Sequence, residues 1–505
     1  MSIISLLLLL LPLSLSQTPL SLLVITDIHL NPLYDGAYDY TTNCMSGPVV
    51  TLKPEISTIL SHLDLSSSSF SSYSKYGCDP SEKLTSIILD EAQKRNPNPD
   101  IIFLAGDFIA HGFSQDASKQ VNNKTFNELI DIHRQAMQVI RGRFGNSLIL
   151  PTVGNNDNEL HYEVPGVREK GGWYDFLYEL WFEESQSTII QQNLGRIRET
   201  FFNGGYYRLD INGQLSVVGL NTLYYSKKNY AENDPVAAND QLDWLTNVLE
   251  DIKNNEPLRK IIFTCHVQPG YKYEGSATRE WNDTFVQKFN DILLNYDDQI
   301  VGGICSHTHL SSVRSFKSKA SIQNAVKSLK NNKVALKVVN AKTYGATLIS
   351  PSITTIDYSN PGVSFVEVDI KTERYIFKNM KYLYLNLEKL NNDPNSEKIT
   401  NFTPFFFEID INNQFGLSDL SASSIDGFIN NLSNDDDLLR NYLAATVGYP
   451  NEEPYFTKAM NIFVGFGLIK DISTLKISSS EKQQYFCIMK NLIQQDYIDC
   501  KAAAA

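Results

Sequence analysis

Five apolar runs of strand length, each running into Asp, Asn or His, constrain this chain more than any other feature. SLLVI leads to Asp27 and His29, IIFLA to Asp107, SLILPTV to Asn155, KIIFT to His266, and IVGGIC to His307 and His309. Such runs, bounded by Gly, Asn or Pro, read as buried strands of an α/β sheet. Ligands of open α/β sheets gather at the carboxyl ends of the strands. One edge of the fold therefore collects two Asp, one Asn and four His. That inventory suits two borderline divalent cations with one carboxylate between them. Two metals about 3.5–4 Å apart clamp both the attacking and the leaving oxygen of a phosphoryl transfer.

The 505 residues suggest two to four domains, with the apolar content of a protein that buries a sizeable core. A net charge of −13 supplies no basic patch, which argues against nucleic acid or anionic lipid surfaces as default partners. An acidic protein that handles phosphates needs its metals for local positive charge. Residues 3–15, IISLLLLLLPLSL, are too short to span a bilayer comfortably and read as a secretory signal ending near Ser16. An uncleaved anchor is the alternative. No later segment reads as a membrane span. Sequons at Asn123, Asn282, Asn401 and Asn431 fit that route to a secreted or an acidic lysosome- or vacuole-like lumenal location. Six cysteines in an oxidising compartment invite pairing. Cys487 and Cys500 make a terminal clip, and Cys44 and Cys78 bracket a Ser-rich stretch. Cys265 and Cys305 abut metal motifs, where thiolate ligation competes poorly with seven harder ligands.

Asp79-Pro80-Ser81-Glu82 reads as a helix start with Asp79 as N-cap and Leu84, Ile87, Ile88 and Ala92 on the inward face. Asp240–Ile252 is a second amphipathic helix. Strand and helix patterns alternate to about residue 370, the rhythm of a layered α/β fold. Beyond about residue 415 the spacing is helical. His62 and His133 read as surface or capping residues, and His161 is ambiguous.

Further blocks accompany the metal motifs: YGCDPSEKL, GLNTLYY, DP…QLDWL, ISPSITTIDYSNPG and FGLSDLS. Together they resemble the acid sphingomyelinase-like phosphodiesterases of the calcineurin-like metallophosphoesterase superfamily, over nearly the whole chain after the leader. The resemblance implies a four-layer α-β-β-α sandwich, residues 17–415, followed by a small helical domain, 416–505. It implies that Asp27, His29, Asp107 and His309 hold one zinc, and Asp107, Asn155, His266 and His307 a second. A hydroxide between the two ions would attack phosphorus. His111 matches the histidine that contacts the phosphate or protonates the leaving group. Ala110 stands where an iron-binding Tyr sits in purple acid phosphatases, which favours a redox-inert pair of Zn²⁺.

Two departures matter. Asn156 replaces the histidine of GNH[DE], a usual general acid; an amide can hydrogen-bond a phosphate oxygen but not donate a proton catalytically. GNND resembles the vacuolar endopolyphosphatases. Ser311 replaces the acid of GHTHxD, a carboxylate that would orient a ligand histidine. Three functions follow as expectations for a monomeric enzyme acting on small phosphate esters. They are a secreted phosphodiesterase, an endopolyphosphatase, and a catalytically weakened metal-stabilised binding protein.

Overall fold

Apolar runs become central strands, and the helices between them cover the outer faces. The computed structural model describes residues 19–46, 71–114, 123–165, 170–229, 234–273, 277–317, 342–370, 375–449, 469–471, 476–477, 479–491 and 494–502. The leader and His62 lie outside the described residues.

Sixteen strands are described, in chain order. They are β1 (Leu20–Ile25), β2 (Ile101–Leu104), β3 (Ile149–Pro151), β4 (Tyr207–Asp210), β5 (Leu215–Gly219), β6 (Lys260–Val267), β7 (Tyr271–Tyr273) and β8 (Ala277–Arg279). Then come β9 (Ile300–Ser306), β10 (Ser312–Lys317), β11 (Thr343–Ile349), β12 (Gly362–Asp369), β13 (Ile376–Leu385), β14 (Phe406–Asp410), β15 (Ile469–Asp471) and β16 (Lys476–Ile477). One six-stranded sheet has the order β14-β13-β12-β1-β2-β3 and the other β10-β11-β9-β6-β5-β4. β1, β2 and β3 are parallel, as are β5, β6, β9 and β11. Both parallel cores thus end on one side of the molecule, where the ligand motifs lie. Every residue of β2 and β6 is buried, as a strand covered on both faces requires.

Helices α1 (Glu82–Arg95), α2 (Asn123–Phe144), α3 (Lys170–Tyr178), α4 (Thr188–Gly204), α5 (Pro235–Asn255) and α6 (Asp283–Asn295) follow the strands in chain order. The inward face expected for α1 is buried at Leu84, Ile87, Ile88 and Ala92. Its cap differs from expectation. Ser81 is the N-cap, accepting from Leu84 N, while Asp79 is wholly buried and turned toward His111. α5 begins earlier than the hydrophobic spacing shows, because Asp234 caps it and Pro235 opens it.

After α7 (Leu387–Asn392) and α8 (Ile411–Phe415), the chain is mainly helical: α9 (Ala422–Asn434), α10 (Asp436–Thr446), α11 (Ser479–Lys490) and α12 (Gln494–Ala502). α9 and α11 pack on β10, at the edge of the second sheet. Ile425, Phe428, Ile429 and Tyr442 belong to the same buried cluster as both sheets. Disulfides join Cys44 to Cys78, Cys487 to Cys500, and Cys265 of β6 to Cys305 of β9. With its sulfur in a bond, neither Cys265 nor Cys305 offers a thiolate.

His133 overturns its reading as a surface residue. It is fully buried among Phe108, Trp173, Phe176 and Trp181, and its Nε2 donates to the Asp157 carbonyl at 3.2 Å. Its own segment offers it no partner in the sequence, because the aromatic cage comes from distant segments. Burial pushes its imidazole down to about 4, against ~6.5 in an unfolded chain. The unfolded state alone takes up a proton between those values, so stability falls as pH drops through that window. The loss should reach at most ~3 kcal/mol. His133→Gln keeps a donor but does not titrate. Its stability relative to wild type should therefore improve from pH 7 to pH 4.5 in paired denaturant titrations, and a pH-independent difference would refute the assignment.

Candidate metal centre

The loops that leave β1, β2, β3 and β9 carry six of the seven expected ligands, and the end of strand β6 carries His266. Their backbones interlock. Asp27 N donates to Gly106 O, His29 N to Asp107 O, and Thr354 N to Asp27 O. Asp27, His29, Asp107, His307 and His309 all have positive φ, between 44° and 81°. Non-glycine residues in that region cost on the order of 1–3 kcal/mol each, and persist where the surroundings over-determine them. Glycine makes the close approach possible. A Cβ on Gly154 would meet Asp107 N at 2.2 Å, and one on Gly106 would meet His266 Nδ1 at 2.7 Å. Asp157, wholly buried, accepts from Asp107 N, Phe108 N and Gly154 N at 2.7–2.9 Å, so one carboxylate ties the two loops together.

Each ligand imidazole has one nitrogen occupied from behind. His29 Nδ1 donates to Ile109 O (2.9 Å), His266 Nδ1 to Ala105 O (2.7 Å), and His309 Nδ1 to Asp357 Oδ2 (2.8 Å). His307 Nε2 faces Glu280 Oε2 and Tyr162 Oη, both at 3.2 Å, while its buried Nδ1 meets no hydrogen-bond partner among the described residues. The remaining nitrogens therefore carry lone pairs, and they converge. His29 Nε2 lies 3.2 Å from His309 Nε2 and 3.3 Å from Asp107 Oδ2. His266 Nε2 lies 3.2 Å from Asp107 Oδ2 and 2.9 Å from Asn155 Oδ1. Lone pairs aimed at lone pairs repel unless a cation or proton sits among them. Asp27 Oδ1 is also buried without a hydrogen-bond partner. Four nitrogens and hard oxygens, dry and mutually repulsive, fit divalent cations.

The candidate ligands fall into overlapping groups. Asp27, His29, Asp107 and His309 offer atoms within 4.8 Å of one another, as do Asp107, His266 and His307. Asp107 is shared. Asn155 joins the second group through His266. Protons compete with metal for these positions. Although burial opposes charge, Asp107 holds His266 up to about 9, and Asp357 does the same for His309.

His111 stacks on His29 with ring centroids 4.0 Å apart. Its Nδ1 lies 3.1 Å from Asp79 Oδ2, and against the opposing effect of burial that carboxylate raises the imidazole above its usual value. With Nδ1 engaged, Nε2 is the nitrogen open to a ligand or to solvent. Asn156 is buried; its N and Nδ2 donate to the two Asp107 oxygens at 2.8 and 2.9 Å. His161 Nε2 accepts from Asn155 Nδ2 (3.0 Å).

Ser311 does not face His309. Its hydroxyl lies 3.2 Å from Tyr384 Oη and 3.3 Å from Thr446 O, and the carboxylate on His309 comes from Asp357. Asp79, Asp157, Glu280 and Asp357 support the site, and sequence reasoning missed all four in that role. The blocks YGCDP, GNND and SPSITTID held three of them; Glu280 had no local signal. Asn401 and Asn431 are exposed, Asn282 is partly buried, and the side chain of Asn123 lies outside the described residues.

Residues 20–311 match the model of the calcineurin-like phosphoesterases. The chain is 25% identical over 430 residues to sphingomyelinase phosphodiesterase D of Dictyostelium discoideum, covering 82% of this chain and 81% of that protein. It is 21% identical to sphingomyelin phosphodiesterase B of the same organism, covering 95% of this chain but only 65% of that protein. An endopolyphosphatase of Neurospora crassa is 24% identical over 218 residues, 42% of this chain and 28% of that protein. The chain belongs to the calcineurin-like phosphoesterases and is a metal-dependent phosphoric ester hydrolase of sphingomyelin phosphodiesterase-like type.

Proposed function

We propose a secreted, zinc-dependent hydrolase of phosphodiester or phosphoanhydride bonds in nucleotides and small phosphodiesters, sphingomyelin among them. The observation that carries this reading is the shared Asp107 between two converging sets of lone pairs, with His111 and its Asp79 partner alongside. Two bound divalent cations supply an activated water and neutralise the phosphoryl oxygens. Asp107, fixed by Asn156 and Asp157, sets where the two groups of ligands meet. His111, whose imidazole Asp79 raises above its usual value against the opposing effect of burial, gives its Nε2 proton to the oxygen that leaves phosphorus as the P–O bond breaks. Asn156 donates to Asp107 and has no proton to give catalytically.

Three disulfides and the apolar leader support an oxidising, extracellular or lumenal location. No helix among the described residues is long and apolar enough to cross a membrane. Sequons that face solvent support glycosylation. The zinc pair rests on the histidine-rich set and on Ala110. An endopolyphosphatase is the second reading, favoured by Asn156. The weakened binding protein loses one of its two motives, because Asp357 supplies the carboxylate that Ser311 lacks.

Asp107→Ala should release both ions and abolish hydrolysis; elemental analysis that finds only trace metal in wild type would sink the two-metal reading. Asp357→Asn leaves His309 in place but weakens its orientation, and should lower metal affinity about 10–100-fold. Competition with a graded chelator series measures this, and Asp357→Glu should recover part of it. Unchanged affinity in Asp357→Asn would rule out that role.

The leaving group gives the last test. His111→Ala should lose roughly 10²–10⁴-fold in kcat/KM on alkyl phosphodiesters, and much less on nitrophenyl esters, whose leaving oxygen hardly needs a proton. Wild type should prefer phosphoanhydrides and activated esters over alkyl diesters, and Asn156→His should narrow that gap. Wild-type protein fastest on unactivated alkyl diesters would overturn the assignment of Asn156.

A further inference from the structure

Behind the loop that bears His307 and His309 lies a cavity of about 50 Å³. Thr308, Ser312 and Arg314 line it together with Tyr485, Ile488 and Met489 of α11. By the ~10–15 Å³ that one water needs, it holds roughly three to five waters, or one five-atom oxyanion. Its wall is unusual. Arg314 is only 6% exposed, yet among the described residues its guanidinium meets a single acceptor, Tyr271 O, 2.6 Å from Nη1. Among the described residues its buried Nε has no hydrogen-bond partner and no carboxylate forms an ion pair with it. The Ser312 hydroxyl on the same wall is also buried without a partner. Glu280, the nearby carboxylate, is committed to His307 and Lys272.

Buried charges in proteins are paired, because an isolated ion loses far more hydration than a dry interior returns. A guanidinium offers five donors in a fork that matches phosphate or carboxylate geometry. Only one of Arg314's donors is engaged, and a neighbouring hydroxyl is unused. We propose that this cavity is a second ligand site that binds a compact tetrahedral oxyanion, a phosphate, against Arg314 and Ser312, apart from the metal centre. Thr308 lies between two metal-ligand histidines, so an anion seated there braces their loop from behind. Such a site does not depend on which ester the enzyme hydrolyses. The phosphate has two sources: free inorganic phosphate, which hydrolysis of monoesters or phosphoanhydrides releases, or a distal phosphate of a longer substrate.

Equilibrium dialysis of the metal-loaded protein against radiolabelled inorganic phosphate tests the site. Arg314→Met should bind one equivalent fewer per chain than wild type, with unchanged metal content. Removing an uncompensated buried charge is compatible with folding. Arg314→Lys is the second variant; it keeps the charge but loses the fork, and should weaken that equivalent about tenfold. Equal phosphate binding by wild type and both variants overturns the proposal. Once the equivalent is lost, kinetics separate the sources. A distal substrate phosphate predicts reduced kcat/KM on a nucleoside triphosphate but not on bis-p-nitrophenyl phosphate. Free phosphate predicts unchanged kinetics on both when none is added.

Discussion

The centre depends on where the Asp107 carboxylate is held. The first sheet delivers Asp27, His29, Asp107 and Asn155; the second delivers His266, His307 and His309. Asp107 is the atom group common to both, so the packing of sheet on sheet fixes the spacing of the ligands. Asp157 and Asn156 lock it with hydrogen bonds to its backbone and side chain. Five ligands in left-handed conformations would be unaffordable on a free loop. Here the loops are interleaved and rooted in strands buried on both faces, and that rigid core offsets the strain.

A layer of acceptors behind the histidines sets the chemistry. Two backbone carbonyls and two carboxylates each take one ring nitrogen, which leaves the other as a lone pair aimed inward. Such partners fix tautomer and orientation and raise ligand basicity. They also explain why an acidic protein can bind phosphate esters: the positive charge arrives with the metals. The disulfide between Cys265 and Cys305 joins β6 and β9 beside His266 and His307, and so holds two ligand-bearing strands in register from the core side.

His111 and Asn156 differ in what they touch. Asp79 raises the His111 imidazole above its usual value against the opposing effect of burial, while Asn156 hydrogen-bonds Asp107 through its backbone and its side chain.

The strands, the placement of the seven candidate ligands at strand ends and the mainly helical stretch after residue 415 were legible because they follow from local pattern. An apolar run of strand length ending in Gly-Asp or Gly-Asn needs no distant partner to be recognised. The helix start near Asp79 was read one step wrong because Ser and Asp are both good caps; only the fold shows that Asp79 belongs to His111. Asp357 lies 48 residues from the histidine it orients, Glu280 sits on a different strand end, and the aromatic cage of His133 is drawn from three segments. Sequence by itself determined which residue types reach the strand ends, since periodicity and backbone freedom are properties of neighbouring residues. Tertiary structure decided which nitrogen each histidine presents, which carboxylate supports it and which buried guanidinium keeps a single acceptor among the described residues. Those are set by contacts between segments far apart in the chain, where burial makes every unpaired polar group costly.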